Sequence, residues 1–259
     1  MDTLHCILLQ SDIIWKNPEA NREKYARYFQ QLPKDCDLLL LPEMCMSGFD
    51  TGSTDTAEQP GGESSLFLRQ WAMTQDTAIA AGLAVRENGK VYNRLLWTFP
   101  DGNQVHYDKR HLFRMGEEPL LYTPGNRDCV VQYKGWNIQL QICYDLRFPT
   151  SCRNAFRDGK FRYDLLVFVA NWPESRKDAL VTLARARAIE NQAYVLLCNR
   201  TGTDGNGISY GGDSIIIDYK GQIMASRAEK TEGFVQAELS LSALTDFREK
   251  FPTFRDWDT

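Results

Sequence analysis

Three residues in this chain stand where their types and placement can do chemistry: Glu43, Lys109 and Cys143. Cys143 lies in Gln139-Leu140-Gln141-Ile142-Cys143-Tyr144-Asp145-Leu146-Arg147-Phe148-Pro149. The residues from Trp136 to Ile142 alternate as a strand does, and the pattern breaks at the cysteine. A residue at the sharp exit of a strand projects its side chain out of the sheet, beside free N–H groups at the next helix start. Those groups favour the thiolate, the reactive form of cysteine. Glu43 ends the apolar run Leu38-Leu39-Leu40-Leu41-Pro42. A carboxylate at a buried strand's exit can be shielded from water, which suits a general base. Lys109 follows a strand in Tyr107-Asp108-Lys109-Arg110-His111-Leu112-Phe113 and can place a cation where an oxyanion develops. Taken singly, each has a blander reading: a buried apolar thiol, a solvated loop glutamate, a surface lysine. Together they make a nucleophile, a base and an ammonium at three strand exits, the parts of an acyl transfer to sulfur. A cysteine–histidine pair would need a histidine base, and His111 is the one candidate placed for it.

The elements that must position these residues follow from apolar periodicity. Residues 4–9 read as a strand. A helix from Asn17-Pro18 to about Leu32 puts Tyr25, Tyr28, Phe29 and Leu32 on one face. Residues 37–41 form a short, continuously apolar strand buried on both sides. After a loop over 47–62, a helix over 64–75 is expected to turn Leu66, Phe67, Trp71 and Met73 inward. Residues 77–86 and 90–99 form a hairpin around Asn88-Gly89, and 104–108 a third strand. The segment 109–127 is irregular. Residues 130–133 and 136–142 pair around Lys134-Gly135. A helix is expected from Pro149 to Arg157, ending near Gly159. Residues 164–170 and 193–198 are buried strands flanking a helix over 175–191, with Leu180, Leu183, Ala184 and Ala188 inward. The glycine-rich stretch 201–212 reads as a loop, with no Walker lysine and no dinucleotide spacing. A hairpin over 214–226 and a strand over 234–239 precede a partly helical tail, 240–259, which carries Phe251, Phe254 and Trp257. Those three large apolar groups are expected to dock on the body or on a dimer partner. Buried strands alternating with helices give an α/β fold. The hairpins make the sheets mixed. Two sheets packed face to face with helices outside are expected, in one domain over 1–259.

Composition narrows the function. A net charge of −4 argues against nucleic acid as the main partner, and no apolar run approaches a membrane span. The first residues lack the basic region of a signal peptide. Seven cysteines, an odd number without framework spacing, fit reduced thiols in the cytoplasm. Three dispersed histidines make no convincing metal site.

Leu38-Leu39-Leu40-Leu41-Pro42-Glu43, Asp108-Lys109-Arg110-His111-Leu112-Phe113 and the stretch around Cys143 resemble the three signature stretches of the nitrilase, or carbon–nitrogen hydrolase, superfamily. Residues Arg185 to Gln192 resemble a recurrent family helix, and the likeness covers almost the whole chain. The resemblance implies a four-layer α-β-β-α sandwich that dimerises through helices. It implies a Glu43–Lys109–Cys143 triad acting on a small amide without metal or organic cofactor. It further implies a second glutamate after the lysine. Glu117 fits by spacing, with Glu118 as the alternative. The compact length and Ala170-Asn171-Trp172-Pro173-Glu174-Ser175-Arg176 are most similar to the ω-amidase branch, which cleaves 2-oxoglutaramate and 2-oxosuccinamate to a 2-oxo acid and ammonia. Such a substrate offers a carboxylate that a planar guanidinium grips through two parallel hydrogen bonds. Arg176 is the expected partner, with Tyr144 and Trp172 as pocket walls. Arg147, Arg185, Arg187 and Glu190 read as members of buried ion pairs. The competing readings are another amidase or N-carbamoyl amino acid hydrolase of the superfamily, or a non-catalytic or redox-sensing scaffold.

Overall fold

The computed structural model of the chain describes residues 2–227 and 230–257. In order, its elements are β1 (Thr3–Gln10), α1 (Pro18–Phe29), β2 (Leu38–Leu40), α2 (Glu63–Gln75), β3 (Ala78–Glu87), β4 (Lys90–Thr98), β5 (Gln104–Asp108), β6 (Val130–Tyr133), β7 (Trp136–Ile142), α3 (Pro149–Cys152), β8 (Phe156–Arg157), β9 (Lys160–Phe161), β10 (Leu165–Ala170), α4 (Lys177–Asn191), β11 (Tyr194–Asn199), β12 (Thr201–Thr203), β13 (Ser209–Gly211), β14 (Ile215–Ile217), β15 (Ile223–Ser226), β16 (Gly233–Ser240) and α5 (Leu241–Lys250). Two six-stranded sheets result, ordered β16-β1-β2-β3-β4-β5 and β15-β14-β11-β10-β7-β6. Each has a parallel centre, β1-β2-β3 in one and β11-β10-β7 in the other, with antiparallel strands outside it.

Alternation sorts the layers. Cys6, Leu8, Leu38, Leu40, Ala78 and Ala80 face the second sheet in one core, which also takes Ile138, Leu140, Trp97 and Trp136. Their neighbours Ile7, Leu9, Leu39, Leu41, Ile79 and Ala81 face the other way, onto Tyr25 and Phe29 of α1 and Leu68 and Ala72 of α2. Leu180, Ala184 and Ala188 of α4 cover the far side of the second sheet. This is the expected α-β-β-α arrangement of mixed sheets. No helix among the described residues is long and apolar enough to cross a membrane.

Three local expectations are corrected. On α2, Leu66 and Met73 point to solvent, 52% and 56% exposed, while Ser64, Ser65, Leu68 and Ala72 are buried. The two serines go inside because their hydroxyls bond Glu58 and Gln104. The helix expected over 149–157 stops at Cys152, and β8 and β9 form a small hairpin around Asp158-Gly159, both at positive φ. The glycine-rich stretch contains the hairpin β12–β13 rather than open loop. The C-terminal aromatics dock on the chain itself: Phe254 packs on Phe156 and Phe161 with ring centroids 4.4 and 4.8 Å away. Trp257 lies under the Arg153 guanidinium, whereas Phe251 remains 58% exposed.

Candidate active site

Strand exits from both sheets meet at one edge of the sandwich. β7 stops at Ile142, and a 3₁₀ turn runs over Cys143–Arg147. Cys143 has φ 43°, in the left-handed region, and is 9% exposed. A non-glycine residue there costs roughly 1–2 kcal/mol and persists only where its surroundings fix it.

Glu43 follows β2 and is fully buried. Gly82 on β3 admits it: a Cβ at Gly82 would lie 2.5 Å from the Glu43 Cα. Glu43 Oε1 accepts hydrogen bonds from Lys109 Nζ at 2.9 Å and Asn93 Nδ2 at 2.7 Å. Its Oε2 accepts the Asn171 backbone N–H at 2.7 Å, and Asn171 Nδ2 donates to the Glu43 carbonyl. Burial of the carboxylate is thus compensated by an ammonium, an amide and a peptide donor.

Lys109 leaves β5 and is 1% exposed. Nζ also contacts both Glu118 oxygens, at 3.2 and 3.0 Å. Burial works against its charge, but Glu118 and Glu43 outweigh burial and hold the ammonium well above its ordinary range. Asn93 Nδ2 bridges the two carboxylates, reaching Glu118 Oε1 at 2.9 Å.

Two carboxylates therefore share one ammonium, and an ionised Cys143 would add a further negative charge. Burial first, then the Glu43 charge, push the Cys143 thiol well above its usual range, while Lys109 pulls it down. Burial and the Glu43 charge both favour the neutral thiol over the thiolate at Cys143. This corrects the thiolate expected from a strand exit alone: desolvation beside a carboxylate outweighs the free N–H groups of one short turn.

The three side chains line the floor of one cleft. Phe49, Phe113, Trp172 and Tyr210 make its walls largely aromatic. Tyr144 packs edge-on against Phe113, 5.2 Å between centroids. Trp172 is buried, and its indole Nε1 donates to the Arg176 carbonyl at 2.9 Å. The Arg176 guanidinium lies 5.2 Å over the Phe113 ring, and that of Arg147 lies 4.8 Å over Trp172. Among the described residues no carboxylate pairs with either guanidinium. Asn206 and Ile208, from the β12–β13 hairpin, close the opposite rim.

The structure thus brings together Glu43, Lys109 and Cys143, with Tyr144, Trp172 and Arg176 around the same cleft. It does not bring Glu117 there. Glu117 is exposed at φ 58°, where the chain reverses between two 3₁₀ turns, and the reversal sends its neighbour Glu118 inward instead. Glu118 Oε2 accepts the Phe113 N–H at 2.6 Å, which secures it. Arg187 does pair with Glu190, at 2.8 Å, but Arg185 bonds the Gly221 carbonyl, and Arg147 belongs to the cleft rather than to an ion pair. Sequence reasoning missed Asn93 and Asn171. Asn93 had a signal: it is the one polar residue in the inward series Val91, Asn93, Leu95, Trp97 of β4.

The carbon–nitrogen hydrolase family model matches residues 8–249. An ω-amidase of Yersinia enterocolitica is 42% identical over 258 residues, covering 100% of this chain and 98% of that protein. A 2-oxoglutaramate amidase of Bacillus subtilis is 35% identical over 257 residues, covering 98% and 96%. The crystal structure of a carbon–nitrogen hydrolase superfamily protein from Xanthomonas campestris, with an arsenic adduct in its active site, superposes with a TM-score of 0.97 at 43% identity, covering 100% and 98% of the two chains. The chain therefore belongs to the carbon–nitrogen hydrolase, or nitrilase, family.

Proposed function

We propose that this enzyme is an amidase of the ω-amidase type. It releases ammonia from the terminal amide of a small 2-oxo dicarboxylate monoamide such as 2-oxoglutaramate or 2-oxosuccinamate. The observation that carries this reading is the cleft itself: a thiol, a carboxylate and an ammonium on its floor, with two guanidinium groups unpaired above them.

The substrate amide carbon lies against Cys143, and its carboxylate lies between Arg147 and Arg176. As sulfur attacks, Glu43 takes the thiol proton, so the thiolate never has to exist as a resting charge. The oxyanion is held by Lys109 Nζ and the backbone N–H of Tyr144 in the first turn after the nucleophile. Glu43 returns the proton to the leaving nitrogen, and ammonia departs. Glu43 then draws a proton from water, which attacks the thioester, and passes it to the departing Cys143 sulfur as the 2-oxo acid is freed. Glu118 acts through Lys109, orienting its ammonium. No step draws on a metal or an organic cofactor.

All seven cysteines are free thiols, which supports a reducing, cytoplasmic setting. Ile189 on α4 and Ile223 and Met224 on β15 are each more than 40% exposed, which supports a homodimer joined through this side. We take 1–259 as one domain.

Substrate choice is tested with Arg176→Ala. Ammonia release from 2-oxoglutaramate should fall on the order of 10-fold or more, because a charge-assisted pair to the carboxylate is lost. Release from a neutral amide of similar size should change little. Equal losses on both amides, or no loss on either, would remove the carboxylate-binding role.

A further inference from the structure

Asp145 lies two residues beyond Cys143 and is fully buried. Its carboxylate touches neither Lys109 nor Glu43, yet it collects four hydrogen bonds. Oδ1 accepts from the His111 backbone N–H at 3.0 Å and from His111 Nδ1 at 2.8 Å. Oδ2 accepts from the Tyr107 hydroxyl at 2.9 Å and from the Ile142 backbone N–H at 3.1 Å. The donors fall in two groups. Ile142 is the last residue of β7, immediately before the strained Cys143. Tyr107 and His111 bracket Lys109, two residues to either side. The Tyr107 oxygen in turn accepts the Arg110 N–H at 3.3 Å, so the chain on both sides of the lysine is tied to one carboxylate. His111 stacks on Phe148 at 3.9 Å and 13°, which closes the pair against the end of the Cys143 turn.

An ionised carboxylate has about four acceptor sites, and here each meets a donor. A left-handed non-glycine residue persists where its surroundings over-determine it, and Asp145 supplies that for Cys143. We propose that Asp145 is a positioning residue, which ties the Cys143 turn to the Lys109 segment so that the nucleophile and the oxyanion-binding ammonium keep one separation. This rests on the reading of Cys143 as nucleophile and Lys109 as oxyanion partner. Asp145 itself touches no reacting atom.

Asp145→Asn keeps the shape but leaves one acceptor oxygen and introduces an NH₂, so donors that were paired now face a donor. With folding checked by far-UV dichroism and a melting curve, kcat on 2-oxoglutaramate should fall on the order of 10- to 100-fold, the scale of a misplaced catalytic group. KM should change less than kcat, within about threefold, because Arg176 at the cleft mouth lies outside the Cys143 turn. The Cys143 thiol, followed by thiolate absorbance, should titrate at higher pH than in the wild type, since the lysine that lowers it is no longer held. A purely structural loss of active molecules would leave that titration where it was. Tyr107→Phe removes a single bond and keeps the ring, so it carries the test if Asp145→Asn does not fold. Its kcat should drop about three- to tenfold. Wild-type kcat in folded Asp145→Asn, or in Tyr107→Phe where the first variant does not fold, overturns the proposal. Cys143→Ala is assayed alongside: turnover there would defeat the nucleophile reading itself, while an inert Cys143→Ala with a fully active Asp145→Asn defeats only the positioning role.

Discussion

The floor and the mouth of the cleft are built by opposite means. Glu43 and Lys109 on the floor, and Glu118 behind them, are essentially inaccessible and joined by direct ion pairs of 2.9 and 3.0 Å. At the mouth, the guanidinium groups of Arg147 and Arg176 lie on the faces of Trp172 and Phe113, with no carboxylate paired to either among the described residues. A buried ion pair left without its partner is costly, so the floor has one workable arrangement. A guanidinium on an aromatic ring keeps its donors free for a ligand. On the function proposed above, the contrast separates labour: the buried floor carries the reaction, and the half-open mouth chooses the amide. Substitutions on the floor should therefore act on kcat, and substitutions at the mouth on the ranking of substrates.

The sharpest break of that contrast is Glu43→Gln. Loss of a positioned general base should lower kcat on the order of 10²–10⁴-fold. The thiol should move the other way from the rate. Glu43 raises the Cys143 thiol by its charge and by its hydrogen bond, and Lys109 lowers it. With Glu43 neutral and Lys109 still charged, thiolate should form at lower pH than in the wild type, read by ultraviolet titration. An upward shift, or an unchanged kcat, would contradict the assignment of base and cation.

A smaller effect separates two adjacent glutamates. Glu118→Gln loosens Lys109 and should lower kcat on the order of 10-fold or more, the scale of a hydrogen bond to a charged group. Glu117→Gln, at an exposed reversal of the chain, should leave steady-state kinetics unchanged. Equal behaviour of the two variants would contradict the geometry that sends only Glu118 inward.

The least effect on chemistry is expected far from the cleft. Truncation after Lys250 removes Phe254 and Trp257 from the β8–β9 hairpin. Melting should drop by roughly 2–4 °C for each kcal/mol of packing lost, with kcat retained. An unchanged melting temperature would show that the docking contributes nothing.

What could be read from the sequence, and what could not, follows the same division. The floor was legible because Glu43 and Cys143 end apolar runs and Lys109 directly follows a strand, and a strand exit has one direction in which to project. The α-β-β-α layering followed from the same alternation. Glu118 was not legible: whether residue 117 or 118 faces the lysine depends on a left-handed residue between two 3₁₀ turns, which no periodicity reports. Arg147 was misread because an arginine near a buried turn more often finds a carboxylate, and here it finds the ring of Trp172. Asp158-Gly159 carried a hairpin signal that the preceding Pro149 obscured. Leu66 and Met73 were expected inward by apolarity, but Ser64 and Ser65 take the buried face because partners on other segments bond their hydroxyls.

The central claim is that Cys143 carries the acyl group of the substrate. It is tested most directly by mixing the enzyme with 2-oxoglutaramate, quenching in acid within the first turnover, and measuring the mass of the Cys143 peptide. The expected result is a transient adduct equal to the 2-oxo acyl group on Cys143, lost as ammonia and product accumulate, and no adduct with no ammonia in Cys143→Ala. Ammonia release that persists in folded Cys143→Ala, or an acyl group found on another residue, would contradict it.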